Sequence, residues 1–336
     1  MERKHNNWRR LRKRAWEEIK ATAQIAKETS WPEAALTFGV KAEIQWLNRR
    51  NYEETPGATG RLLKKHEVMR RYFEKTYAPF LETYDFDKAL PQSDPRLRDR
   101  IWICWWQGWE QAPEIVKSCV ASVKRHAGGR EVTLLTEANY REYVSIPDWL
   151  EAKYRAGIIS RTHFSDVLRL SLLAAYGGLW LDATVFCTES LDACFASPIW
   201  SVKRPGYGHI SVGCGGFVTG TMRCSDECRW IFAVFRDLLV QYWREKDFLV
   251  DYLLQDYLID LAQRHDPRIK AAFAQIAPNQ PGGDELLKVI NQPYEEAVWR
   301  GLRQETALFI LSWKRNFVKE QDGKETFYAK LCRGEL

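Results

Sequence analysis

Two adjacent glycines, Gly177 and Gly178, divide an apolar helix-like run from an apolar strand-like run, and this step constrains the fold more than any other feature. The run from Thr162 to Tyr176 repeats apolar residues at helical spacing, with Ser160 placed to cap its start and Gly177 at its C′ position. The run after the glycines, Leu179-Trp180-Leu181, is short and apolar and ends on Asp182. A helix passing straight into a buried strand is a unit of an α/β sheet, and such sheets present ligands at the carboxyl ends of their strands. Asp166 and Arg169 are three residues apart and therefore share one helix face. Their neighbours Val167, Leu168, Leu170, Leu172 and Leu173 make that helix apolar nearly all round, so these charges are expected to be buried and in need of partners or ligands. Two carboxylates and a guanidinium gathered this way suit a diphosphate, a ribose and a divalent cation.

The rest of the chain sets this unit in a larger plan. Residues 1–95 read as a helical region, with helices either side of a loop at Asn51–Gly60 and a Pro-rich boundary at Leu90–Pro95. From Arg98 strands and helices alternate: Ile101–Trp106 and Glu131–Leu135 as strands, with a helix from Pro113 to Gly128 between them. This predicts an α/β chain with a Rossmann-like sheet flanked by helices and a helical amino-terminal extension. Residues 96–200 form the expected nucleotide-binding half and 201–336 the acceptor side. Strands are expected within His209–Thr219, two helices within Ser225–Gln263, and a strand at Ala307–Trp313.

Phe164–Leu170 and Tyr176–Val185 together resemble the signature of capsular polysaccharide synthesis proteins. These belong to the glycosyltransferases of the DXD sugar-binding type, which include yeast Golgi mannosyltransferases and are distantly similar to clostridial glucosylating toxins. Ile101–Gly108 is similar to that family's first strand, and the likeness runs on through Asp251–Asp260 to Leu311–Lys314. It implies the A-type glycosyltransferase fold and transfer of a hexose from a nucleotide-sugar donor to a growing polysaccharide or lipid-linked glycan, with retention giving an α-linkage.

The same resemblance implies a donor site of Ile101, Trp102, Asp166, Arg169, Gly178, Leu181, Asp182, Ala183 and Lys314. Trp102 would lie against the nucleobase, Asp166 would bind ribose or sugar hydroxyls, and Arg169 the sugar or phosphate. Asp182, Arg169 and Asp256 are the catalytic candidates, Asp256 on the acceptor side. Family members usually carry Asp-x-Asp where this chain has Asp182-Ala183-Thr184, and capsule-type members often share that substitution. Asp182 and Thr184 are thus the expected ligands of Mn²⁺ or Mg²⁺, with threonine a neutral and weaker one. A histidine ligand common in related families is absent at Leu308–Leu311, which also weakens the metal expectation. The alternatives are a degenerate transferase retained as an assembly scaffold, or a transferase acting on protein side chains. His163 is read as a packed structural histidine rather than a base.

Composition narrows the partners. Hydrophobic content of 45% and 28% charged residues are those of a folded globular chain, and no run nears the ~20 apolar residues of a membrane span. Met1–Arg10 has no apolar core of a secretion signal, so the expectation is a cytoplasmic protein. Eight cysteines without a Cys-x-x-Cys pair are expected to be buried thiols. The first twenty residues hold eight Lys or Arg against three Glu. No nucleic-acid motif accompanies that charge, so nucleic acid is excluded as a partner. A basic face toward anionic lipid at the inner plasma membrane is the functional expectation, and a solvated mixed-charge helix the ordinary one.

Overall fold

A computed structural model describes residues 2–48 and 54–336. Three helices come first: α1 (Glu2–Glu28), α2 (Trp31–Asn48) and α3 (Pro56–Glu82). Thr55 caps α3 by accepting from the Ala58 amide at 3.2 Å, with Pro56 in its first turn, so helix begins inside the segment expected to be a loop. Residues 51–53 of that expected loop lie outside the described residues.

The alternating part supplies β1 (Ile101–Cys104), α4 (Glu114–Arg125), β2 (Val132–Leu135), α5 (Asp148–Arg155), α6 (Arg161–Tyr176) and β3 (Gly178–Leu181). Next come β4 (Val185–Cys187), α7 (Asp192–Phe195), β5 (Ile199–Ser201), β6 (Thr221–Cys224), α8 (Arg229–Glu245) and α9 (Leu254–His265). The sheet order is β2-β1-β3-β6-β5. β1 pairs parallel with β2 and β3, whereas β6 is antiparallel to both β3 and β5. A mixed sheet flanked by helices, with a helical amino-terminal region, is the architecture expected. β4 pairs instead with β7 (Leu308–Ile310), which brings the carboxyl-terminal part of the chain against the segment following Asp182. The Leu311 amide donates to the Thr184 carbonyl at 2.9 Å.

Side chains that alternate along β1 enter different cores. Trp102 and Trp106 join the core formed with α3, α6, α8 and α9, while Ile101, Ile103 and Trp105 join the core on the other face. All four residues of β3 are buried, as a strand covered on both faces requires. Between His209 and Thr219 the expected strands do not form. The segment turns instead, with Cys214 and Gly215 at φ +45° and +81°, conformations that a strand excludes.

A buried polar cluster ties the helical region to the rest. Lys65 on α3 meets Asp251 at 2.8 Å with both side chains almost fully buried, and its Nζ also donates to the Tyr257 hydroxyl at 3.3 Å. Burial first, then the Lys65 charge, push His66 down to about 4, so it is neutral near pH 7. Its Nε2 must donate to the His209 carbonyl, 2.8 Å away, which leaves Nδ1 to accept from the Tyr257 hydroxyl at 2.6 Å. One histidine thus links α3, α9 and the loop after β5.

Candidate functional site

The geometry of the site follows from the Gly-Gly step. Gly177 and Gly178 have φ of +70° and +89°. A Cβ at Gly178 would stand 2.4 Å from the Arg100 carbonyl oxygen, and one at Gly177 would stand 2.8 Å from that of Cys224. Only glycine lets the chain reverse from α6 into β3 against those backbones. Arg169 lies eight residues before the reversal, about 12 Å back along a helix. Asp182 lies four residues after Gly178, about 13 Å along a strand. The two arms match in length, and the two side chains come level.

They meet there. Arg169 Nη2 donates to Asp182 Oδ1 at 3.1 Å, and Nη1 donates to Asp166 Oδ1 at 3.2 Å and to Gln255 Oε1 at 3.0 Å. The Trp180 indole N–H donates to the same Asp182 oxygen at 2.8 Å, and the guanidinium lies 5.1 Å from the Trp180 ring centre. Asp182 is anchored by its own amide, which donates to the Gly220 carbonyl at 2.8 Å. Its side chain is 47% exposed, whereas those of Arg169 and Asp166 are 6% and 13% exposed. One carboxylate therefore faces solvent from a floor held by a buried guanidinium. Arg169 Nε and Gln255 Nε2 are buried with no protein partner, two donors that a ligand oxygen would satisfy.

The local charge is unbalanced. Asp166, Asp182 and Asp256 face a single nearby guanidinium, that of Arg169. Burial, followed by the Asp166 charge, pushes the partly buried Asp256 carboxyl up to about 7. Asp166 is also raised, by burial first, with Arg169 and His163 opposing and Asp182 adding to the shift. Cys104, at the end of β1, is pushed up to about 12 by burial and then by Asp182. A cluster with more carboxylates than cations favours binding a proton or a metal ion.

The other expected residues are placed as follows. Ile101 and Leu181 are fully buried, and Gly178 and Ala183 are buried too. Trp102 needs correction: it is 0% exposed, donates its indole N–H to the Gly177 carbonyl at 3.1 Å, and packs on Tyr143 and Tyr176. With no face open to a ligand it is core, and no base can stack on it. Lys314 is exposed on a turn past β7, its Nζ 5.9 Å from the Trp313 ring centre. His163 has both ring nitrogens engaged, Nδ1 with Ser160 Oγ at 2.7 Å and Nε2 with the Tyr252 carbonyl at 3.2 Å, so it is a structural lock. Gln255, Trp180 and Gly220 complete the cluster and escaped the sequence reading. Gln255 sits beside Asp256, and that adjacency was the one available signal.

Among the described residues no group of three or more His, Cys, Asp or Glu side chains is arranged to hold a metal ion. The open Asp182 oxygen, with Thr184 two residues on, nevertheless fits a hard cation that takes most of its oxygen ligands from a bound diphosphate and water. Among the described residues no helix is long and apolar enough to cross a membrane, and all eight cysteines are free.

An O-glycosyltransferase, PaGT, of Phomopsis amygdali is 31% identical over 111 residues, which are 30% of this chain and 26% of that protein. The chain therefore spans about a quarter of that relative's length. A solved structure of a bifunctional glycosyltransferase, WbbM, in its apo form aligns with 94% of this chain and 70% of its own, at 11% identity and a TM-score of 0.40, a likeness too loose to add to the fold described above. The model of the capsular polysaccharide synthesis proteins matches residues 52–331, a span that contains the whole Asp166–Arg169–Asp182 cluster, Gln255 and Asp256. With five-sixths of its length so matched, the chain belongs to the capsular polysaccharide synthesis protein family.

Proposed function

We propose that this protein is a glycosyltransferase that moves a hexose from a nucleotide-sugar donor to a growing polysaccharide or lipid-linked glycan, with retention and an α-linkage. The observation that carries the reading is the single guanidinium of Arg169, held between Asp166, Asp182 and Gln255 at the carboxyl end of β3. In that position Arg169 fixes Asp182 toward the donor's ribose and diphosphate, and the free N–H donors of Arg169 and Gln255 await sugar or phosphate oxygens. A bound divalent cation, held by Asp182 with Thr184, would offset the charge on the departing diphosphate.

In the proposed step the bond from the sugar's anomeric carbon to the donor phosphate oxygen breaks on the face where the acceptor oxygen bonds. The acceptor's proton passes to the departing phosphate, and nucleoside diphosphate leaves. The chain's own part is positioning and electrostatic stabilisation. Asp256, poised near neutrality, receives the acceptor hydroxyl's hydrogen bond.

The test is release of nucleoside diphosphate from a panel of nucleotide sugars with Mg²⁺ or Mn²⁺, with the parent and Asp182→Asn side by side. Turnover in the parent that is lost in the variant is the expected result. Donor binding by thermal shift without any turnover would favour the scaffold reading, which the replacement of the second aspartate by Thr184 supports.

A further inference from the structure

The helical pair at the amino terminus carries an apolar face that the catalytic cluster does not use. On its inner side α2 buries Ala34, Val40 and Leu47, and α1 buries Ala21 and Ile25. Yet the outer side of α2 is apolar as well: Trp31, Ala35, Phe38 and Ala42 fall at helical spacing and are all exposed, Trp31 by 69% and Phe38 by 50%. Beside it α1 exposes Trp16 by 59% and Ile19 by 57%. A helix that is apolar on two opposite sides belongs between two apolar phases, and only one is supplied by the fold.

The charges around this face are sorted by sign. Acidic residues are turned inward and paired: Glu18 with Lys41 at 2.6 Å, Glu28 with Lys75 at 3.3 Å, and Glu33 with Arg71. The exposed charges that share the outer side of α1 with Trp16, at helical spacing, are Lys20 and Lys27, and neither makes an ion pair among the described residues. Lys20 lies 5.8 Å from the ring centre of Trp16, an indole beside an ammonium as at a lipid interface. This segment also precedes residues 52–331, the span matched by the family model.

We propose that the outer face of α1 and α2 is a docking surface for an anionic lipid bilayer. Trp31, Phe38, Trp16 and Ile19 enter the headgroup boundary, and Lys20 and Lys27 pair with lipid phosphates. A second copy of the chain is the poorer occupant, because a face whose free charges are all positive would oppose itself across a two-fold axis. The docking would hold the proposed transferase beside a lipid-linked acceptor, and in that sense alone it rests on the transferase reading.

Flotation of the full chain with vesicles tests it, using phosphatidylcholine alone and phosphatidylcholine mixed with phosphatidylglycerol. The parent is expected to float with the mixed vesicles and far less with the neutral ones. Trp31→Ser with Phe38→Ser should weaken partitioning at least roughly tenfold. Lys20→Glu with Lys27→Glu should weaken it about fivefold for each charge removed. Both pairs should leave nucleoside diphosphate release with a soluble acceptor unchanged. No flotation of the parent with mixed vesicles, or undiminished flotation of either variant, would overturn the proposal. So would a parent dimer that Trp31→Ser with Phe38→Ser makes monomeric, since the occupant would then be a second copy. A parent that floats but turns over no donor would sink the transferase reading and leave the docking standing.

Discussion

Gly220 is hydrogen-bonded to Asp182 and makes room for its side chain: the Gly220 carbonyl accepts from the Asp182 amide at 2.8 Å, and a Cβ on Gly220 would stand 2.6 Å from Asp182 Oδ2. The glycine thereby leaves room for the one exposed carboxylate of the cluster. Because a carboxylate is the far end of a rotatable side chain, Gly220→Ala should displace it at little cost to folding. We expect turnover to fall by about ten- to a hundredfold, in the range of misplaced catalytic groups, with a melting temperature close to the parent's. Parent-like turnover in Gly220→Ala would show that Asp182 works from another rotamer.

Asp182→Asn keeps the shape of the side chain and removes its charge. Arg169 Nη2 then loses a charged partner, and in the proposed reaction the donor loses the carboxylate assigned to it. Transfer should drop by at least about a hundredfold, while the circular dichroism spectrum stays that of the parent. Unchanged turnover would mean that the site is elsewhere.

Asp256 makes a pH prediction. Its folded carboxyl, pushed up to about 7, holds a proton that the unfolded chain releases near 3.8. The folded state therefore binds more protons through that window, and stability attributable to this group falls as pH rises from about 4 to 7. Asp256→Asn removes the penalty, so it should be more stable than the parent at pH 8 by about 2 kcal/mol and nearly equal at pH 4. His66, lowered to about 4, pulls stability the opposite way, so the difference between variant and parent in denaturant titrations is the quantity to follow. An equal difference at both pH values would contradict the raised carboxyl.

Thr184→Asp tests the cation. A second carboxylate two residues from Asp182 adds a charged oxygen, and a metal titration of donor turnover should shift to lower concentration. Donor affinity without metal should fall, since the cluster already holds three carboxylates against one guanidinium. An unmoved metal midpoint would place Thr184 away from the cation.

The Lys65–Asp251 pair concerns stability alone. Burial favours a neutral Asp251, but Lys65 and then Lys41 outweigh it and hold the carboxyl below its ordinary value. Lys65→Met leaves that charge buried without its partner and should cost about 3–5 kcal/mol in urea unfolding. Adding Asp251→Leu should recover much of the loss, and a double variant no better than the single would mean the pair is not coupled.

What the sequence determined by itself was local and periodic. The cap at Ser160, the run of α6, the Gly-Gly reversal and the strand ending on Asp182 all follow from residues within about twenty positions of one another. Arg169 and Asp182 were therefore legible as a pair, because two arms of fixed rise per residue bring them level. The alternation that sends Trp102 and Trp105 to opposite faces of the sheet was legible for the same reason.

Tertiary structure decided whatever depends on segments far apart in the chain. Gln255 reaches Arg169 from 86 residues away, which no periodicity encodes. Gly220 matters only because β6 lies antiparallel beside β3. Trp102 sits at a position the family resemblance assigns to the nucleobase, yet Tyr143 and Tyr176, brought from elsewhere in the chain, pack on it and leave it 0% exposed. The proton affinity of Asp256 arises from burial and from a carboxylate on another helix, and a residue's partners across a fold are set by packing rather than by its neighbours in sequence.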